Sequence, residues 1–151
     1  MNNTPEMFMR KAIDEAKKAA KKGEIPIGAV IVKDNKIISK GYNTKERKQS
    51  AICHAEINVI NKASKKLGTW RLDECDMYVT LQPCEMCAGA IISARIKNLY
   101  YGARNSLINE EIYYSNSLNH KLNNVTGGIS EAECENIVKE FFAKLRKREK
   151  I

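Results

Sequence analysis

The chain is 151 residues long, 43% hydrophobic and 29% charged, values that suit one globular domain able to bury a core without disulfide staples. No apolar run approaches the roughly 18 residues of a membrane-spanning helix, and Met1–Ala12 is polar and then amphipathic, unlike a secretory signal. A net charge of +8 points to a polyanionic partner, against the plainer reading that lysines only keep the chain soluble. Five cysteines, an odd number, argue against a disulfide framework. Free thiols at Cys53, Cys75 and Cys134 fit a reducing compartment, so a cytoplasmic protein is expected.

Thr4-Pro5-Glu6 reads as an N-cap followed by proline at the first helical position. Phe8, Ala12, Ala16 and Ala19 then recur at helical spacing until Gly23, and Lys11, Lys17, Lys18, Lys21 and Lys22 crowd the same segment. Ile27–Val32 is apolar and rich in β-branched residues, Asp34-Asn35 supplies a turn, and Lys36–Tyr42 completes a hairpin. Ala55–Lys66 is predicted to be a helix burying Ile57, Ile60 and Ala63. Met77–Leu81 follows as a strand, Cys84–Ala94 as a helix and Leu99–Tyr101 as a strand. Asn105–Asn124 is the least patterned stretch and reads as a surface loop with one helical turn at most.

Val125-Thr126 suggests a short final strand, and Ser130-x-x-Glu133 reads as a capping box opening a last helix. That helix carries an apolar stripe of Cys134, Ile137, Val138, Phe141, Phe142 and Leu145 and ends in the basic run Lys144–Lys150, well placed to touch nucleic-acid phosphates. The element order predicts an α/β fold, a three-layer α/β/α sandwich with a mixed central sheet. With no repeat, linker or low-complexity segment, residues 1–151 read as a single domain.

The chemistry is concentrated in His54-Ala55-Glu56 and, thirty residues on, Pro83-Cys84-Glu85-Met86-Cys87. One imidazole and two thiols make three ligands for a tetrahedral zinc ion, leaving the fourth position open, as catalytic zinc sites do. Glu56 then stands beside the metal, where a hydrolytic enzyme needs a carboxylate to move protons. Pro83 suits a helix start, and the positive helix end favours thiolate at Cys84 and Cys87, whose spacing puts both sulfurs on one side of the first turn. The competing structural reading is a closed zinc knob with Cys53 or Cys75 as fourth ligand. Adjacency of Cys53 to His54 makes joint ligation awkward, and Glu56 would have no task.

His-x-Glu followed by Pro-Cys-x-x-Cys is the signature of zinc nucleobase deaminases. Beyond it, the chain resembles the bacterial tRNA-specific adenosine deaminases, members of the cytidine deaminase-like superfamily, over nearly its full length. The matching text is Glu24–Val32, Gly41-Tyr42-Asn43, His54–Ile57, Tyr78–Ile91, Gly102-Ala103-Arg104, Asn119-His120-Lys121, and Glu133-Cys134 leading to Phe141-Phe142. The resemblance implies a cytidine deaminase-like fold and hydrolysis of adenosine to inosine at the wobble position of a transfer RNA, by a homodimer with one zinc per chain. By position it implies His54, Cys84 and Cys87 as zinc ligands and Glu56 as proton shuttle. It also implies Asn43 at the purine edge and Ile25 and Leu81 lining the base pocket, although these could serve as a turn residue and core residues. The anticodon stem-loop is the expected partner, with no membrane.

Departures from the family pattern are local. Gln82 stands where glutamate is common before the Pro-Cys, which bears on the surroundings of the ligands. Asn105 replaces an aspartate in a segment near the nucleic acid, loosening any demand for a ribose 2′-hydroxyl. A different and shorter stretch, Ser106–Tyr114, follows, in which Tyr113 and Tyr114 are candidates for base stacking or for packing under the loop. Two rival functions are a deaminase of free guanine or another small base or nucleoside, and an inactive zinc-bearing RNA-binding subunit. Intact Glu56 argues against the second.

Overall fold

The computed structural model describes residues 4–114 and 120–149. Helix α1 (Pro5–Lys21) begins as read, with the Thr4 hydroxyl accepting from the Met7 N–H at 3.3 Å, and ends before Gly23 at φ +77. Strands β1 (Gly28–Lys33) and β2 (Lys36–Tyr42) form the hairpin. Its two-residue turn puts Asp34 and Asn35 at φ 50 and 62, the left-handed pair that matches strand twist in a tight hairpin. A four-residue helix, α2 (Lys45–Lys48), is additional to the predicted elements. Then come α3 (Ala55–Leu67), β3 (Cys75–Leu81), α4 (Glu85–Ser93), β4 (Asn98–Ala103), a 3-10 turn (Glu110–Tyr113), β5 (Asn124–Thr126) and α5 (Glu131–Glu149).

The sheet runs β2-β1-β3-β4-β5. Pairs β2/β1 and β1/β3 are antiparallel, whereas β3/β4 and β4/β5 are parallel, so the sheet is mixed as expected. One apolar cluster joins the sheet to α3 and α4 through Ile31, Val59, Met77, Ile91 and Leu99, and it also takes in Tyr113. A second joins the other face to α1 and α5 through Met9, Ile13, Val30, Tyr78 and Cys134. Two glycines let the outer helices sit this close. A Cβ on Gly28 would lie 2.0 Å from the Ala12 carbonyl oxygen, and one on Gly102 would lie 2.3 Å from Cys134 Sγ.

Three local expectations change. In α3 the buried face is Ala55, Val59 and Ala63; Ile60 packs at its edge and Ile57 is only half-buried. On α5 only Cys134 is buried, and Phe141 meets Phe142 edge-on at 5.5 Å between ring centres. The capping box does not form: Ser130 sits at φ +53, off the extended geometry of an N-cap. Glu133 instead binds the Arg10 guanidinium of α1 with both oxygens, tying α1 to α5. That contact brings the two lysine-rich segments to one face, where Lys21, Lys144 and Arg148 border a cavity of about 170 Å³. Lys150 and Asn119 lie outside the described residues, while the His120 ring donates to the Ile96 carbonyl at 3.1 Å.

Candidate metal centre and its surroundings

Parallel strands β3 and β4 both end at the edge where Gln82-Pro83 leads into α4, and the carboxyl ends of parallel strands are where open α/β sheets place their sites. Cys84 is the N-cap of α4 and Cys87 lies in its first turn; His54 is the N-cap of α3. The three ligands thus sit at two helix starts. His54 Nδ1 is 3.8 Å from Cys84 Sγ and 3.5 Å from Cys87 Sγ, and all three ligand atoms lie within 4.8 Å of one another. A tetrahedral zinc with its usual bond lengths separates sulfur from nitrogen by about 3.6 Å. The donor set therefore fits zinc, and neither Cys53 nor Cys75 joins it among the described residues. Cys75 begins β3, at the far end of the strand that leads to Cys84.

Glu56 is 4% exposed, and its Oε1 is the buried side-chain polar atom without a protein partner among the described residues. Such an orphaned acceptor beside three ligands leaves room for water or substrate as its partner. Burial pushes its carboxyl up to about 7. The Cys87 thiol is raised by burial and by Glu56 and Cys84 beside it, so a thiolate there calls for a cation. Burial and then the charge of Lys45 lower His54, which keeps the imidazole neutral and able to ligate.

The other sequence-predicted residues have varied surroundings. Asn43 is buried; its Nδ2 donates to the Ile25 carbonyl at 3.3 Å and its Oδ1 accepts from the Lys45 N–H at 3.1 Å, so Asn43 and Ile25 come together. They adjoin the centre through the Thr44 N–H, which donates to the Cys53 carbonyl at 3.0 Å. Leu81 is half-buried and packs with the α1/α5 cluster. The Asn105 N–H donates to Gln82 Oε1 at 2.9 Å, while its side chain accepts from the Leu107 N–H at 3.0 Å. Tyr113 is fully buried and its hydroxyl donates to the Pro83 carbonyl at 2.6 Å, whereas Tyr114 is exposed.

Sequence reasoning overlooked two supports. The amide of Asn58, one turn beyond His54, donates to the Tyr42 carbonyl at 2.8 Å and to Thr44 Oγ1 at 3.0 Å. Glu24, 1% exposed, accepts the backbone N–H groups of Glu46 at 3.0 Å and Arg47 at 2.7 Å. The charge heading the apolar run that opens at Ile25 was the available signal for Glu24; Asn58 has none in one dimension.

The MafB19-like deaminase family matches residues 2–146. A tRNA-specific adenosine deaminase of Bacillus subtilis (strain 168) is 43% identical, the match spanning 96% of this chain and 92% of that one. A solved structure from a study of A-to-I editing by tRNA:A34 deaminases at the wobble position superposes with a TM-score of 0.80 at 40% identity, covering 86% and 97% of the two chains. A guanine deaminase structure from Bacillus subtilis is 41% identical over 68% of this chain and 66% of its own, with a TM-score of 0.65. The fold is that of the cytidine deaminase-like proteins. With a family match over nearly all residues and curated relatives above two-fifths identity, the chain belongs to the tRNA-specific adenosine deaminases.

Proposed function

We propose that this chain, acting as a single cytoplasmic domain in a homodimer, hydrolyses the wobble adenosine of a transfer RNA to inosine with one zinc ion per chain. The observation that carries the reading is Glu56 Oε1, buried and unpartnered beside the His54, Cys84 and Cys87 ligand atoms. Those three residues hold the zinc. When bound, zinc supplies a Lewis acid that brings the pKa of the attacking water to about 7.

Glu56 takes one proton from that water and gives it to ring N1 as the C6–O bond forms. It then carries the new hydroxyl's proton to the amino nitrogen. The C6–N bond breaks, ammonia leaves, and inosine remains with a C6 carbonyl and a protonated N1. Asn43, Ile25 and Asn105 are the groups assigned to the base and its surroundings; Leu81, expected in the pocket, packs instead with the α1/α5 cluster on the other face of the sheet. The base reaches them extruded from its stack.

The 41% identity to a guanine deaminase favours one second reading, a deaminase of free bases. The experiment that separates them is sequencing of an arginine tRNA with an A-starting anticodon after incubation with zinc-loaded protein. Adenosine read as guanosine at that position supports the proposal. An unchanged tRNA, with ammonia released from free guanine, replaces it by the second reading.

A further inference from the structure

We infer that the groove beside α2, lined by Tyr42, Arg47, Lys48, Asn58 and Lys62, binds the sugar–phosphate chain flanking the extruded nucleotide; the inference rests on the RNA reading above. The groove encloses about 480 Å³ and is completed by Thr44 and Asn61, so its lining holds three cations, a phenol and amides but no carboxylate. No ion pair found among the described residues involves Arg47 or Lys48. Lys22 adds a fourth cation at the rim, donating to the Tyr42 hydroxyl at 2.6 Å.

Position ties this charge to the catalytic centre. Asn58 stands one turn along α3 from His54, its N–H donating to the His54 carbonyl at 3.0 Å. Thr44, bonded to the Asn58 amide, also donates its N–H to the Cys53 carbonyl. A nucleobase held between Asn43 and Glu56 would have its own ribose and phosphates leaving over this groove.

Order is imposed on the cations from behind. A four-residue helix cannot hold itself together in water. Each of its first three amides is instead taken by a side chain: Lys45 by Asn43, and Glu46 and Arg47 by the buried carboxylate of Glu24. The Gln49 side chain closes the other end on the Glu46 carbonyl at 2.6 Å. Asn43 therefore joins the base site to the α2 turn, and Glu24 fixes the backbone from which Arg47 and Lys48 project. Preorganised, unpaired cations suit phosphate, whose oxygens accept charge-assisted bonds.

The test compares Arg47→Gln/Lys48→Gln with Lys65→Gln/Lys66→Gln, an equal loss of charge in the last turn of α3, away from His54. All four residues are exposed. Anisotropy of a labelled anticodon stem-loop is followed over a series of KCl concentrations, with the mass of each variant measured in solution. The α2 pair should weaken binding about 10-fold and flatten the salt slope by about 1.4, two single-strand phosphate contacts' worth. The α3 pair should change neither by more than about 2-fold. Equal losses in both pairs, or no loss in the α2 pair, overturn the inference. A lower mass with an unchanged slope also overturns it, reassigning the groove to contact with a second copy or another protein. A wild-type protein that does not bind the stem-loop sinks it too. Binding without deamination leaves the groove standing and removes the wobble-editing proposal instead.

Discussion

The candidate metal centre and the segment Arg104–Tyr114 meet at the approach to α4, and they are built differently. His54, Cys84 and Cys87 sit at or just inside the starts of α3 and α4, so helical spacing alone brings two ligands together. Arg104–Tyr114 has no period, yet it bonds Gln82 through the Asn105 N–H and Pro83 through the Tyr113 hydroxyl, the two residues before Cys84. The candidate ligands are spaced by helix geometry, while the two residues leading into Cys84 are also held by a loop. A departure from the family pattern in that loop therefore bears on the two residues that lead into Cys84.

The largest expected effect comes from the centre. Cys87→Ala removes a buried ligand, and the purified protein should then carry well under one zinc per chain by atomic absorption and lose its deaminase activity with it. Full metal occupancy in that variant would mean the three-ligand assignment is incorrect.

Next is the brace. Tyr113→Phe deletes one hydroxyl and leaves the Pro83 carbonyl unpaired in the interior, a cost of about 1–3 kcal/mol. Groups that orient metal ligands typically change affinity by about 10–100-fold when removed, so chelator competition should extract metal from this variant more readily. A lower melting temperature with unchanged metal affinity would break the comparison, making the loop ordinary packing.

Gly102→Ala is smaller in its reach on the site. The new Cβ would meet Cys134 Sγ at 2.3 Å and the Thr80 carbonyl oxygen at 2.9 Å, so α5 must shift, at a cost of about 1–3 kcal/mol for overpacking. Urea denaturation should register that loss, while metal content stays at one per chain.

The smallest effect is at the α1–α5 clamp. Hydrogen bonding and charge from Arg10 hold the Glu133 carboxyl below its ordinary value. A depressed folded pKa gives stability that is present above the unfolded value and is lost as pH falls through the folded one. Both groups are well exposed, so the contribution is weak. Arg10→Gln should flatten the acid-side fall in the urea midpoint between about pH 5 and 3, and a variant that tracks wild type there would remove the clamp's role.

This contrast also explains what was legible in one dimension. The Thr4 cap, the Asp34-Asn35 turn, the strands and the His54/Glu56/Cys84/Cys87 constellation follow from periods and fixed spacings, and the structure brings His54, Cys84 and Cys87 together. Helix α2 was not legible, because its amides are held by Glu24 from over twenty residues upstream. The Ser130–Glu133 capping box matched a pattern, but Arg10, from the other end of the chain, took the glutamate. Tyr113 carried equal claims to stacking and to packing until its ring was found buried with its hydroxyl on Pro83.

The central claim is that His54, Cys84 and Cys87 hold a zinc ion while Glu56 only moves protons. Its most direct test is Glu56→Ala, with zinc per chain and single-turnover conversion of the wobble adenosine measured on the same preparation. Zinc retained at one per chain with conversion slowed at least about 10²–10⁴-fold is the predicted result. Conversion at the wild-type rate, or loss of zinc with the glutamate, would contradict it.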